Sequence, residues 1–337
     1  MLRAVLTLAH GDRSNLKLDA NFPDPAAGEG EVVLKVAATA INFHDIFTRR
    51  GMPGIKIQFP IIVGSDIAGE IVDLGKGVVG WKRGDRVLVD PIYRDGKNIG
   101  MIGETTHGGR AEFVTAQASQ LVTVPNEVSL EDAAALPLAY ATAYRMLITH
   151  GKIKRDEKIL ILGASGGVGV ACVQIAKLWG LEVTACASSA SKMERLRRLG
   201  ADHVINYTAQ KFRTAVREIH GKPRIDGTGG VDVAVNFTGG DTWTDTQKCL
   251  RYQGRLLTCG ATAGYEVKTD ARYLWTFEHQ MIGSNGWTSA DLHDLLGLIR
   301  RGQFRPAIDK VLRLEDAAEG ERLLEEREVV GKIILRP

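Results

Sequence analysis

Residues 158–177 constrain this chain more than any other stretch. An apolar run at 159–162 reads as a buried strand, and a glycine turn follows at once. Val168, Val170, Ala171, Val173, Ile175 and Ala176 then recur with helical spacing. Strand, glycine turn and helix together open a dinucleotide-binding βαβ unit. Ala164, Gly166 and Gly169 stand where the three glycines of G-x-G-x-x-G would be. Ala164 keeps the turn small. Gly166, without a Cβ, lets a pyrophosphate approach the backbone, and Gly169 lets helix and strand pack closely. The free N–H groups at the helix start face the anion, so Ser165, Gly166, Gly167 and Val168 are its expected neighbours.

The rest of the second half repeats this alternation. Strands are expected at 181–187, 203–206, 231–236, 254–259 and 280–284, with a helix at 193–199 ended by Gly200. Strands alternating with helices give a doubly wound parallel sheet, a Rossmann domain, here placed at 127–300. Ser129 with Asp132 three residues on reads as a helix cap, and 136–147 reads as a helix with Pro137 in its first turn. Residues 1–126 read as β-rich instead, with strands at the N-terminus, 31–37, 66–73 and 85–89 between glycine turns. Many short strands of this kind suggest a partly open barrel. Two strands near the end, 309–312 and 331–336, return to that pattern, so 301–337 is expected to complete the first domain. Residues 91–108 read as one long polar loop.

The chain has 337 residues, enough for two domains. Its net charge of +3 is too small for a nucleic-acid surface. No run of about 18 apolar residues is present to span a membrane. The four cysteines, Cys172, Cys186, Cys249 and Cys259, form no C-x-x-C pair, which points to a reduced, cytoplasmic protein.

The second strand of an NAD-binding unit ends in an acid that holds the ribose 2′-hydroxyl. Here Ser188 and Ser189 follow that strand, with Lys192 just beyond. An acid would repel a 2′-phosphate, whereas serines and a lysine bind one, so NADPH is the expected cofactor. Tyr207, after the third strand, is placed against the same end or as surface packing. Thr238, Gly260 and Ala261 lie past later strand ends, where the rest of a dinucleotide runs. No H-x-x-x-H or H-E-x-x-H pair exists; His44, Asp66 and His107 are the one histidine–carboxylate set weighed for a metal.

The stretches 40–45, 60–73, 81–87, 108–114 and 133–147, together with the fingerprint at 164–169, resemble the medium-chain dehydrogenase/reductase superfamily in its zinc-independent, quinone oxidoreductase-like branch. The resemblance spans essentially the whole chain. It implies an α/β chain with a GroES-like barrel domain beside the Rossmann domain. It also implies that the zinc-ligand positions of related alcohol dehydrogenases fall at Asn42, Ser65 and Leu138, which cannot build a zinc site. The lobe for a second zinc would fall in 91–108, which holds no cysteine. Hydride transfer from NADPH to a quinone, or to a double bond conjugated to a carbonyl, follows as the expected activity on a small-molecule electrophile. By the same resemblance Asn42 lies near the nicotinamide and Thr142 beside its ring. Ser284 and Asn285 lie near its amide, and Lys332 is a further cofactor contact. For the proton donor the residues offer Tyr140, Tyr93, His44 and His107 equally, and a water as well; Tyr140 also reads as a packed helix tyrosine. Phe47 and Thr48 stand where thioester reductases often carry a tyrosine. A homodimer, or a tetramer, is implied through the edge strand at 280–284. Pocket walls are expected from loops at 43–56, 91–108 and 240–290. Trp243, Tyr273, Trp275, Phe277 and Trp287 read either as an apolar, ring-tolerant pocket or, the favoured reading, as domain core or dimer interface. Two other readings remain open: an alcohol dehydrogenase with zinc on His44, Asp66 and His107, and a non-catalytic NADPH-binding protein.

Overall fold

A computed structural model describes residues 1–52, 56–95 and 98–337. The chain forms two units, Met1–Ala139 with Ser289–Pro337, and Tyr140–Thr288.

The first unit is built on the strand Glu31–Ile41. Its early part alternates buried Leu34 and Val36 with exposed Lys35 and Ala37, and its last four residues are buried throughout. It pairs with Asp66–Leu74 along nearly its whole length. Phe113–Gln117 pairs with its first residues and Lys332–Arg336 with its last. Arg86–Val89, Leu121–Thr123 and Ile308–Arg313 complete a seven-stranded sheet, and Leu2–Thr7, Leu16–Phe22 and Ile61–Ile62 form a second sheet of three. Val32, Leu34, Ile67, Ile71, Val87 and Val89 make one apolar cluster, so the barrel is filled by side chains. The returning tail therefore belongs to the first unit, as its strand pattern implies.

Three local expectations are corrected. Residues 91–108 are not one loop: Ile92–Asp95 and Asn98–Met101 pair as an antiparallel hairpin. Residues 43–50 are not a wall loop but the helix Phe43–Arg50, with Asn42 at its N-cap. The short helix Leu130–Ala134, capped by Ser129, and the helix Ser289–Arg300 lie with the first unit rather than with the parallel sheet.

Beside the helix Phe43–Arg50 lies a buried ionic cluster. Arg49 and Arg110 are fully buried and share Glu321, itself fully buried on the helix Ala317–Glu325. Arg110 also reaches Asp45 at 3.0 Å, and Arg49 reaches Glu325 at 2.7 Å. Each buried charge thus meets an opposite one, the condition for keeping it charged in the interior.

The second unit is a six-stranded sheet, every pair parallel. Across the sheet the strands run His203–Asn206, Glu182–Ala187, Lys158–Ile161, Val231–Val235, Leu250–Thr258 and Gln280–Gly283. In chain order this is 3-2-1-4-5-6, the doubly wound dinucleotide-binding topology. Leu160, Ala234, Leu250 and Leu256 join Val216 and Trp243 in its core. Trp275 is 67% exposed, so it is not core, while Tyr273 stacks on Phe277 and Trp287 is buried. Residues 136–147 are helical as expected and the helical run continues to His150, with wide i→i+5 turns over Leu136–Ala141 and Arg145–His150.

Candidate active site

In a parallel sheet every segment that follows a strand lies at the same edge. Residues 163–168, Ser188, Tyr207, Thr238, Gly260, Ala261, Ser284 and Asn285 therefore collect at the carboxyl edge of the second unit. The glycine turn divides sharply by what each Cβ would meet. At Gly169 it would lie 2.2 Å from the Gly163 carbonyl oxygen and 2.6 Å from the Ala164 Cα, so only glycine lets helix and strand approach. At Gly166 the nearest atom would be 3.6 Å away, and the backbone is ordinary extended chain. The fold itself tolerates a side chain at 166, and the space it would fill stays open. The helix Gly167–Leu178 has no side-chain cap, so its first N–H groups face that space without a partner from a cap.

At the end of the second strand, Ser189 caps the helix Ala190–Arg198, its Oγ accepting from the Lys192 N–H. The Tyr207 N–H donates to the Ala187 carbonyl at 3.1 Å. Ser188, Ser189, Lys192 and Tyr207 thus lie where two adjacent strands end, and none of the four carries a carboxylate. The turn after the fourth strand is shaped by a residue that pattern reading passed over. Buried Asn236 accepts from the Thr238 and Gly239 N–H groups and donates to Thr242 and Thr246. Ala263 N–H then donates to the Thr238 carbonyl, and Ser284 N–H to that of Thr258, tying successive strand ends together.

The first unit holds a separate polar cluster. Asn42, Asp66 and Lys332 are 4%, 0% and 2% exposed. The Asn42 amide nitrogen donates to Asp66 Oδ2 at 2.9 Å, and the Leu138 N–H donates to Asp66 Oδ1 at 2.9 Å. Lys332 Nζ donates to Asn42 Oδ1, to Asp66 Oδ2 at 3.1 Å and to the Ile41 carbonyl at 3.4 Å. Asn42 heads its helix, but its side chain is turned to this cluster; its backbone N–H is held by Asp45 at 2.9 Å. Ser65, next to Asp66 in the chain, has its Oγ buried with no partner among the described residues. The positions matched to zinc ligands, Asn42, Ser65 and Leu138, thus gather about Asp66 with the Lys332 ammonium in their midst. Lys332 departs from the expected cofactor contact, because its ammonium is committed to the interior of the first unit.

The histidines now separate. His44 Nε2 meets Glu104 Oε2 at 3.2 Å. Burial alone would push the His44 imidazole down, but the hydrogen bond and charge of Glu104, with Asp45 and Asp66 nearby, carry it above its usual value. The Ile62 N–H donates to His107 Nδ1, and burial pushes that imidazole down. The two imidazoles are thus shifted in opposite directions, His44 toward its protonated form and His107 toward its neutral one. With His44 on Glu104, His107 on Ile62 and Asp66 on Lys332, the three are engaged apart. Among the described residues no three His, Cys, Asp or Glu side chains converge as metal ligands would. Tyr140, one of the candidate proton donors, is fully buried, and its hydroxyl donates to Gln174 Oε1 at 2.5 Å. Thr142 is 8% exposed, at the start of the short helix Thr142–Tyr144. Tyr93 pairs its hydroxyl with Thr105 Oγ1 at 3.1 Å.

A two-unit chain with this sheet order and this strand-end site has the architecture of a pyridine-nucleotide dehydrogenase. Residues 28–126 match the alcohol dehydrogenase GroES-like domain, and residues 167–301 match the zinc-binding dehydrogenase domain. The chain is 30% identical to the crotonyl-CoA reductase of Streptomyces avermitilis, over 95% of this chain and 81% of that protein. It is 29% identical to the quinone oxidoreductase of Rattus norvegicus, over 99% and 98%. It superimposes with a TM-score of 0.88 on the 2-octenoyl-CoA carboxylase reductase CinF in complex with NADP and 2-octenoyl-CoA, at 29% identity over 99% of this chain and 87% of that one. The chain belongs to the medium-chain dehydrogenase/reductase superfamily.

Proposed function

We propose that this protein is an NADPH-dependent reductase of carbon–carbon double bonds conjugated to a carbonyl, quinones included, and that it works without zinc. The observation that carries this reading is the replacement of a ligand set by Asn42, Ser65 and Leu138 around a Lys332–Asp66 ion pair. Neither an amide nor a leucine ionises an alcohol, so the chain's own hydrogen-bond donors remain as its means of stabilising charge.

The strand-end edge of the second unit fits a dinucleotide. Ser165, Gly166, Gly167 and Val168 would hold the pyrophosphate, in the space a Cβ at 166 would fill. Ser188, Ser189, Lys192 and Tyr207 would hold the 2′-phosphate. Thr238, Gly260, Ala261, Ser284 and Asn285 would line the remainder, with Thr142 beside the nicotinamide. When bound, NADPH supplies a hydride, and hydride addition at the β-carbon of a conjugated carbonyl puts negative charge on the carbonyl oxygen. Asn42 retains one amide hydrogen to meet that oxygen. His44, whose imidazole Glu104 shifts toward its protonated form, returns the proton.

The named activities of the relatives, an acyl-CoA reductase and a quinone oxidoreductase, divide the substrate class. Phe47 and Thr48 stand against a thioester, and the first relative's name stands for one. The deciding experiment follows NADPH oxidation against 1,4-benzoquinone, 9,10-phenanthrenequinone, a linear enone and crotonyl-CoA, and NADP+ reduction with a primary alcohol, each with and without chelator. Chelator-insensitive turnover of a quinone, enone or thioester supports the proposal. Chelator-sensitive alcohol oxidation overturns it, and tight NADPH binding with no turnover favours a non-catalytic role.

The strand Gln280–Gly283 is the edge of its sheet, and a homodimer through that edge is proposed with it. Sedimentation at micromolar concentration tests the assembly. The described cysteines are all unpaired, which supports a reduced, cytoplasmic setting; among the described residues no helix is long and apolar enough to cross a membrane.

A further inference from the structure

Lys332 is placed with unusual definition. Gly331 precedes it at φ +107°, and a Cβ there would lie 2.1 Å from the Ala307 carbonyl oxygen, so only glycine brings the chain in at this point. The next residue, Ile333, pairs with Ile41, which sets Lys332 beside Asn42. An ammonium has three protons and no acceptor. Here all three have partners: the Ile41 carbonyl, Asn42 Oδ1 and Asp66 Oδ2. No proton is left for a ligand.

The consequence falls on Asn42. A side-chain amide has two ends of opposite polarity, and which way it points is decided by the donors and acceptors around it. This site allows one orientation. The lysine can only donate, so it requires the amide oxygen. The carboxylate can only accept, so it requires the amide nitrogen. A flipped Asn42 would set N–H against ammonium and C=O against carboxylate. In the orientation found, one amide hydrogen goes to Asp66 and the other has no partner among the described residues. A buried ion pair is weak evidence of stabilisation, and its attested use is to select one arrangement among several.

We propose that Lys332 is a positioning residue: paired with Asp66, it locks the Asn42 amide so that an N–H, never the C=O, is presented to the substrate carbonyl. This deepens the proposed reduction and rests on it. Without Lys332 the buried Asp66 loses the opposite charge that keeps it ionised; once protonated it donates as well as accepts, and the amide is then free to flip and offer oxygen to an oxygen that is gaining negative charge. Removing one preorganised oxyanion donor lowers kcat by about 10²–10³.

The test compares wild type with Lys332→Met and Lys332→Arg in kcat, KM and NADPH affinity, the last by fluorescence titration. The proposal expects Lys332→Met to lose kcat about 100-fold with NADPH affinity changed less than threefold. Lys332→Arg should recover part of the loss, because a guanidinium also only donates. Unchanged kcat in Lys332→Met overturns the proposal. An equal loss of NADPH affinity also overturns it, since that marks a cofactor contact. If Lys332→Met fails to fold because Asp66 is left unpaired, the neutral double variant Lys332→Met/Asp66→Asn carries the same expectation. A second readout needs no substrate: the side-chain amide resonances of Asn42 in asparagine-labelled protein. Two separated, exchange-protected proton signals that merge or lose protection in the variant support the lock, and identical signals overturn it. Should wild type turn over nothing in the panel, the functional reading fails, while this spectrum still decides the role of Lys332.

Discussion

Two glycines three residues apart make a sharp comparison. At Gly166 the backbone has φ −75° and ψ 172°, open to any residue, and a Cβ would meet nothing closer than 3.6 Å. Gly→Ala at a compatible position gains about 0.4–1 kcal/mol through the unfolded chain, and alanine at an N-cap costs a similar amount. The two nearly cancel, so Gly166→Ala should melt within about 2–4 °C of wild type, the shift that ~1 kcal/mol produces in a unit of this size. Its methyl, however, stands where a pyrophosphate must approach the N–H groups. Losing one or two charge-assisted hydrogen bonds of about 1.5–3 kcal/mol each weakens NADPH binding at least ~10-fold. Gly169→Ala is the converse: its Cβ would overlap a backbone carbonyl at 2.2 Å, an overpacking that costs about 1–3 kcal/mol and lowers the melting temperature. NADPH fluorescence titration and a thermal melt read both quantities on both variants. Wild-type NADPH affinity in Gly166→Ala, or a melting loss as large as that of Gly169→Ala, would refute the division of labour drawn here.

Three further outcomes are expected. The proton on His44 is needed for turnover, so the rate should fall as pH rises through its raised pKa; Glu104→Gln should move that fall to lower pH, read from kcat against pH. Glu321→Ala leaves Arg49 and Arg110 buried without their shared carboxylate and should cost about 3–5 kcal/mol in urea unfolding. Burial works against the Glu321 carboxylate, but Arg110 and Arg49 overcome it and hold it below its ordinary range. Its contribution is therefore complete above the usual carboxylate pKa and is lost as pH falls through the lowered one. Lys192→Ala should weaken NADPH binding by about 10-fold, one charge-assisted bond, and leave NADH binding unchanged in the same titration.

The parallel sheet was legible because each buried strand is an apolar run closed by a turn residue, and the glycine fingerprint fixed where the first one ends. The strand-end candidates follow from topology alone, so twelve of them fall on one edge. Lys332 was found as a residue but not in its role, because its neighbours Asn42 and Asp66 are 290 and 266 positions away. Only strand register brings them together. The helix Phe43–Arg50 spans little more than two turns, too short for a 3.6-residue period to stand out. The hairpin at 92–101 is two strands of four residues, again too short for alternation to show. The bond from the Tyr140 hydroxyl to Gln174 was not legible, because sequence gives no measure of whether a hydroxyl is already engaged.

The closure of the first unit by the last strand also orders events during synthesis. Residues 140–288 emerge as an unbroken segment with their whole sheet, and can begin to fold as soon as they clear the ribosome. The first unit cannot. Its central strand waits for Lys332–Arg336, 291 residues after Ile41, which at ~5–20 residues per second means roughly 15–60 s. Through that interval Arg49 and Arg110 have no Glu321, and the end of strand Glu31–Ile41 is an open edge. The nascent N-terminal half is thus the aggregation-exposed part of this protein, and deleting its final strand removes the lock from Asn42 along with the seam of the barrel.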